Sequence, residues 1–224
     1  ACAKKLALLN DMVKTGNWGP DTRDAVVPMV PIDGQTLGLV GLGNIACATA
    51  RKAHVFGLEL IAYDPFIPPW TAKEFKVELV STLDELASRS DFVSVHVPLN
   101  DHTRGLINAK FFNVMKPTAY LVNTCRGQTV DEKALIEALR SEQIAGAGID
   151  VFEEEPTPED NPLLKMDNVV VTPHSAGTSE VSGTTSEIQV GQEVARILRG
   201  TWPMSIVNPA VKSKINNRPA AMNL

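Results

Sequence analysis

The chain has 224 residues, of which 44% are hydrophobic and 21% charged. That composition supports a folded domain with a buried core and argues against a disordered or fibrous chain. Lysine and arginine total 21 against 26 acidic residues, a net charge of -5, so no nucleic-acid partner is expected. No stretch is long and apolar enough to span a bilayer, and no membrane partner is expected. The N-terminal Lys4-Lys5 is followed too soon by Asn10-Asp11 to read as a secretory signal. Three scattered cysteines, Cys2, Cys47 and Cys125, form neither a disulfide framework nor a metal site. They suit a reducing compartment, and a cytoplasmic location is expected.

The chain begins at Ala1 rather than Met, inside a helical pattern, and reads as the continuation of something longer. Residues 1–16 predict an amphipathic helix with Leu6, Leu9 and Val13 on one side, closed by Gly16. Residues 17–35 are rich in Pro, Gly and Asp and read as a connection. Thr36–Leu42 is a short apolar run, and Ile45–Phe56 is compatible with a helix. Glu59–Tyr63 is a second apolar run ending at Asp64-Pro65, and Pro65–Pro69 reads as loop. Val77–Val80 reads as a brief strand. Ser81-Thr82 precedes a helix over Leu83–Arg89, with Asp84 and Glu85 in its first turn.

Phe92–Val97 alternates as a strand, and Asn108–Met115 is compatible with a helix. Ala119–Asn123 is a strand, and Asp131 opens a helix through Ala134, Leu135 and Leu139. Ala147–Phe152 and Val169–Thr172 are two further strands. Glu180–Leu198 is a long final helix, and the tail after Val207 has little pattern. Short apolar strands alternating with helices predict an α/β fold with a doubly wound parallel sheet, buried on both faces. The expected divisions are 1–35 as N-terminal helix and linker, 36–178 as the nucleotide domain, and 179–224 as C-terminal helix and tail.

Gly41-Leu42-Gly43-Asn44-Ile45-Ala46 follows the first strand and opens a helix. Gly41 permits the tight turn, Gly43 lets the backbone approach a pyrophosphate, and the helix N-terminus at Asn44 and Ile45 holds the anion. Asp64 ends the second strand about twenty residues on, where a carboxylate accepts bonds from a ribose 2′-hydroxyl. Pro65 follows rather than Arg, which favours NAD over NADP. The fold class is therefore read as Rossmann-type and dinucleotide-binding. The competing reading is a glycine-rich turn that binds nothing.

Three polar residues follow later strands. Arg126 stands in Asn123-Thr124-Cys125-Arg126-Gly127, Glu155 in Asp150-Val151-Phe152-Glu153-Glu154-Glu155-Pro156, and His174 in Thr172-Pro173-His174-Ser175-Ala176-Gly177. Oxidation of a 2-hydroxy acid requires removal of a hydroxyl proton, for which a histidine is suited near neutral pH. A carboxylate on the imidazole orients it and stabilises its charged form. A guanidinium clamps a carboxylate in a planar fork. The plainer readings are a strand-capping His, a surface Arg and a solvated Glu run.

With these motifs in this order, the stretch from about Trp18 to Pro209 resembles the D-isomer-specific 2-hydroxyacid dehydrogenases, phosphoglycerate dehydrogenase-like members in particular. The resemblance also covers His96-Val97-Pro98-Leu99-Asn100-Asp101-His102-Thr103, Arg199-Gly200 and Val207-Asn208-Pro209. It implies Arg126 as the substrate-binding arginine, Glu155 as the acid paired with histidine and His174 as the acid/base. It implies Asp150 near the nicotinamide carboxamide, with Val97, Pro98, Thr103, Thr124, Arg126, His174, Ala176 and Gly177 as further cofactor contacts. The implied substrate is a 2-hydroxy or 2-oxo acid of the 3-phosphoglycerate, glycerate or glyoxylate type, and the implied assembly a homodimer. Two departures stand out. Ala46 replaces the usual third glycine, and only 35 residues precede the first strand, where the family carries a substrate domain of about a hundred. A non-enzymatic, corepressor-like NAD-binding protein and a catalytically incomplete chain are the alternative readings.

Overall fold

The computed structural model describes residues 1–20, 22, 29–211 and 214. The connection at 21 and 23–28, and the tail at 212–213 and 215–224, lie outside the described residues. The described residues form α1 (Leu6–Lys14), β1 (Thr36–Val40), α2 (Asn44–Ala53), β2 (Glu59–Tyr63), α3 (Pro69–Glu74), β3 (Glu78–Leu79) and α4 (Leu83–Arg89). They continue with β4 (Phe92–Val95), α5 (Ala109–Val114), β5 (Tyr120–Asn123), α6 (Glu132–Arg140), β6 (Gly146–Ile149), β7 (Val169–Val171) and α7 (Glu180–Leu198).

All seven strands pair in parallel in the order β3-β2-β1-β4-β5-β6-β7. The expected doubly wound sheet is present, and its order reverses between β1 and β4. Ligands of such sheets bind at that point, beyond the carboxyl ends of the strands. Successive side chains of a strand point to opposite faces, so a sheet covered on both sides needs two apolar layers. One layer joins Val40, Val93, Val95, Leu121 and Ile149 to Leu86, Phe112 and Leu135. The other joins Leu37, Leu39, Leu60 and Ala62 to Ala46, Cys47, Ala50 and Ala53 of α2.

Local signals place the helix starts. Thr82 accepts the N–H of Glu85, Asn108 that of Lys110, and Asp131 that of Ala134, each satisfying a first-turn donor. Elsewhere the structure departs from the sequence pattern. The first helix breaks at Lys5, whose φ of 47° separates a short turn at Cys2–Lys4 from α1. Leu6 and Val13 are exposed, so the apolar side read in the sequence is not buried within the described residues. Helix α3 begins inside the proline run, because a proline at the first helical position forfeits no hydrogen bond. β4 and β6 end at Val95 and Ile149, short of Val97 and Phe152. The Phe152 N–H leaves the ladder for the Glu155 carboxylate.

The chain divides into two compact units, Ala1–Ala176 and Gly177–Leu224. The first includes the N-terminal helix, because Cys2 Sγ lies against Gly148 of β6, 3.2 Å from where a β-carbon would stand. The second is built on α7, which Ser179 and Ser182 open by a reciprocal cap.

Candidate active site

Gly41 leaves β1 at φ 89°, and its N–H bonds to the Tyr63 carbonyl at 2.9 Å. A β-carbon there would stand 3.0 Å from Val97 Cγ1 and 3.2 Å from the His96 carbonyl. Glycine is thus required by both conformation and space. Gly43 differs. Its φ is -77°, which any residue adopts, and a β-carbon there would meet nothing within 4 Å. The protein's own packing does not demand this glycine, so its bareness leaves room for something else. Gly43 is the N-cap of α2 and brings no side-chain acceptor to the first-turn N–H groups. These features fit a pyrophosphate. Asn44 and Ile45 are exposed beside it, whereas Ala46 is buried against the sheet, where one methyl group fits.

Asp64 ties the end of β2 to this loop. Its Oδ2 accepts the Leu42 N–H at 2.8 Å and its Oδ1 the Phe66 N–H at 2.9 Å. Each oxygen keeps a second lone pair. Across the switch point, the His96 N–H bonds to Val40 O at 2.8 Å and seats Val97 against Gly41. Pro98 O accepts the Thr103 hydroxyl, and Thr103 Oγ1 accepts the Asn100 N–H at 2.9 Å, closing the loop on itself. The His96 ring is 2.9 Å from Ser94 Oγ, and burial pushes its pKa down to about 4, leaving it neutral at pH 7.

Beyond β5 the chain turns around buried Asn123. Its Oδ1 accepts the N–H and the thiol of Cys125 at 3.1 and 3.0 Å, and its Nδ2 donates to Arg126 O at 3.0 Å. In the sequence Asn123 reads only as the last residue of a strand. The signal there is an amide closing an apolar run; buried in the fold, it needs partners. Thr124 is left exposed at the strand end. Arg126 is exposed too, with Nη1 on the Cys125 carbonyl.

His174 and Glu155 meet directly: Nδ1 lies 2.7 Å from Glu155 Oε2. Glu155 Oε1 accepts the Phe152 N–H at 2.9 Å. The His174 bond, then the Phe152 N–H, hold the Glu155 carboxyl below the usual range, and the nearby Arg126 charge adds to this. The three residues singled out in the sequence therefore gather in one place. An ionised Glu155 fixes the proton on Nδ1 and leaves Nε2 free to accept another.

His174 sits at φ 51°, a conformation non-glycine residues rarely adopt. Asp150 holds that turn. Its carbonyl accepts the His174 N–H at 2.8 Å, and its carboxylate accepts the Thr172 hydroxyl and the Ser175 and Ala176 N–H groups at 2.9 and 3.0 Å. Burial pushes the Asp150 carboxyl up, but these donors outweigh it and hold the group below its ordinary value. Gly177 begins the second unit.

Residues 1–176 match the family model described as "D-isomer specific 2-hydroxyacid dehydrogenase, NAD binding domain". A D-3-phosphoglycerate dehydrogenase of Methanocaldococcus jannaschii is 39% identical over 93% of this chain and 39% of its own length. A glyoxylate reductase of Korarchaeum cryptofilum is 41% identical over 94% of this chain and 63% of its own. The chain thus spans less than two thirds of these relatives. Among solved structures, D-lactate dehydrogenase with NAD+ from Lactobacillus jensenii superposes with a TM-score of 0.81. It is 30% identical and covers 92% of this chain and 65% of that one. With a parallel sheet in nucleotide-binding order and a bare glycine loop at its switch point, the chain belongs to the D-isomer-specific 2-hydroxyacid dehydrogenase family and comprises its NAD-binding domain.

Proposed function

We propose that the protein transfers a hydride between NAD and a D-2-hydroxy acid or its 2-oxo acid. The 2.7 Å Glu155–His174 pair, at the sheet edge that carries the Gly41 loop, is the observation behind this reading. Bound nicotinamide supplies or accepts the hydride. On oxidation, the substrate hydroxyl proton passes to His174 Nε2 as the carbon–oxygen double bond forms. Glu155 balances the positive charge this creates on the imidazole. Arg126 clamps the substrate carboxylate. Asp150, through its bonds to the turn, aims His174 and stands near the nicotinamide carboxamide.

Gly43, Asn44 and Ile45 hold the pyrophosphate, and Asp64 the ribose hydroxyls. Val97, Pro98, Thr103, Thr124 and Ala176 line the rest of the cofactor's path. The charge of Asp64, followed by Pro65, disfavours a 2′-phosphate, so the cofactor is NAD rather than NADP. Substrates are drawn from the 3-phosphoglycerate, glycerate and glyoxylate types, in keeping with relatives named D-3-phosphoglycerate dehydrogenase, glyoxylate reductase and hydroxypyruvate reductase. The test is a screen of small 2-oxo acids with NADH and NADPH, followed by loss of absorbance. Faster turnover with NADPH would refute the cofactor choice. NADH binding without turnover of any acid would favour the corepressor-like or catalytically incomplete reading. A cytoplasmic homodimer completes the proposal; fractionation outside the cytoplasm, or a monomer in sedimentation, would overturn that part.

Gly43 offers a sharper check on the nucleotide loop. Gly43→Ala introduces no internal clash and no strained φ. The thermal midpoint should stay within about 2 °C of the parent while NADH affinity falls by about tenfold or more, roughly 1.4 kcal/mol. Undiminished affinity in a fluorescence titration would remove the pyrophosphate from this loop.

A further inference from the structure

Of the acidic run Glu153-Glu154-Glu155, only the last belongs to the site described above, yet the first is also engaged. Glu153 Oε1 accepts the N–H of Glu132 at 3.0 Å, and Glu132 Oε2 accepts the N–H of Glu153 at 3.1 Å. Each carboxylate takes the other's main-chain donor. Glu132 is the first residue of α6, and the positive end of that helix offsets the repulsion of two like charges. Buried Asn161 donates to Glu132 Oε1 at 2.8 Å and fixes its rotamer. Gln128 Nε2 donates to the carbonyl of Glu153 at 2.6 Å.

Together these bonds tie the segment after Arg126 to the segment before Glu155. Both Arg126 and Glu155 are exposed, so packing of their own side chains does not set their separation. The backbones of two loops from different strands set it. We propose that Glu153 is a positioning residue: with Glu132 and Gln128 it forms a clamp that fixes Arg126 relative to the Glu155–His174 pair. The clamp rests on the hydride-transfer reading, in which Arg126 holds the substrate and His174 handles its proton. Misplacement of such groups by about 1 Å costs up to about 100-fold.

The experiment uses the full chain, with Glu153→Ala, Glu153→Gln and, as a control, Glu154→Ala. Glu153→Ala loses the acceptor; Glu153→Gln keeps an oxygen for the Glu132 N–H. Glu153→Ala is expected to lower kcat by about tenfold, with NADH affinity within about twofold of the parent. Glu153→Gln should restore most of kcat, and Glu154→Ala should match the parent. A kcat within about twofold of the parent in Glu153→Ala, or no recovery in Glu153→Gln, overturns the clamp. So does an equal loss in Glu154→Ala. If Glu153→Ala does not fold by circular dichroism, Gln128→Ala decides. A loss of about threefold in kcat supports the clamp and an unchanged kcat overturns it.

Should the parent chain bind NADH without turnover, the hydride-transfer reading fails, but the clamp itself is still read by NMR titration of Glu155. Compared with Glu153→Gln, which loses the same charge but keeps the acceptor, that carboxyl should titrate at higher pH in Glu153→Ala as its loop is released. An unmoved titration overturns the clamp.

Discussion

His174→Asn should lower kcat by about 100- to 10,000-fold, the range supplied by a positioned general acid–base, while NADH binding stays within about twofold. The choice of asparagine follows from the backbone. Position 174 sits at φ 51°, which asparagine tolerates better than alanine, so the turn held by Asp150 survives the change. What is lost is the ring nitrogen that accepts the substrate proton. The side chain is about half exposed and its removal leaves no core cavity, so stability should barely change. Steady-state kinetics on the best 2-oxo acid, beside a fluorescence titration with NADH, make the comparison. A variant that keeps kcat within about tenfold of the parent would take the proton-transfer role away from His174.

A comparably large effect is expected from Gly127→Ala, through a different mechanism. A β-carbon at Gly127 would stand 2.5 Å from Glu153 N and closer still to the carbonyl of Phe152. The obstacle is backbone, which cannot rotate away as a side chain does. One loop must retreat from the other, and overpacking of this kind costs about 3 kcal/mol or more. For a unit of this size that corresponds to a fall of roughly 6–12 °C in thermal midpoint. The two loops carry Arg126 and Glu155, so kcat/KM should fall as well. Gly43→Ala is the internal contrast: the same chemical change at a glycine with open space should leave the midpoint alone. A Gly127→Ala midpoint within about 2 °C of the parent would show that the loops do not approach as closely as described.

Much of the architecture was legible because its causes are local. Thr82 and Asp131 announce helix starts through side chains that serve donors three residues on. Short apolar runs such as Thr36–Leu42, whose strand ends at Val40, and Glu59–Tyr63 mark strands, because a sheet covered on both faces tolerates little else. Proline at the start of α3 hid a helix, since proline reads as a breaker unless its position in the first turn is known. The apolar side of α1 was correctly patterned, yet periodicity does not say what covers a helix, and Leu6 remains exposed.

The order of the strands and of the helices other than α3, the glycine loop with its acid at Asp64, and the candidates Arg126, Glu155 and His174 all follow from the sequence alone. Each depends on residue type and spacing along one chain. Tertiary structure decided that Glu153, two residues before the glutamate that meets His174, pairs with Glu132. It turned the Asp150 carboxylate into the His174 turn, and it made Gly127 indispensable by bringing Phe152 against it. These features depend on distances between segments far apart in sequence, and such distances exist only once the parallel sheet has brought its carboxyl ends together at one edge.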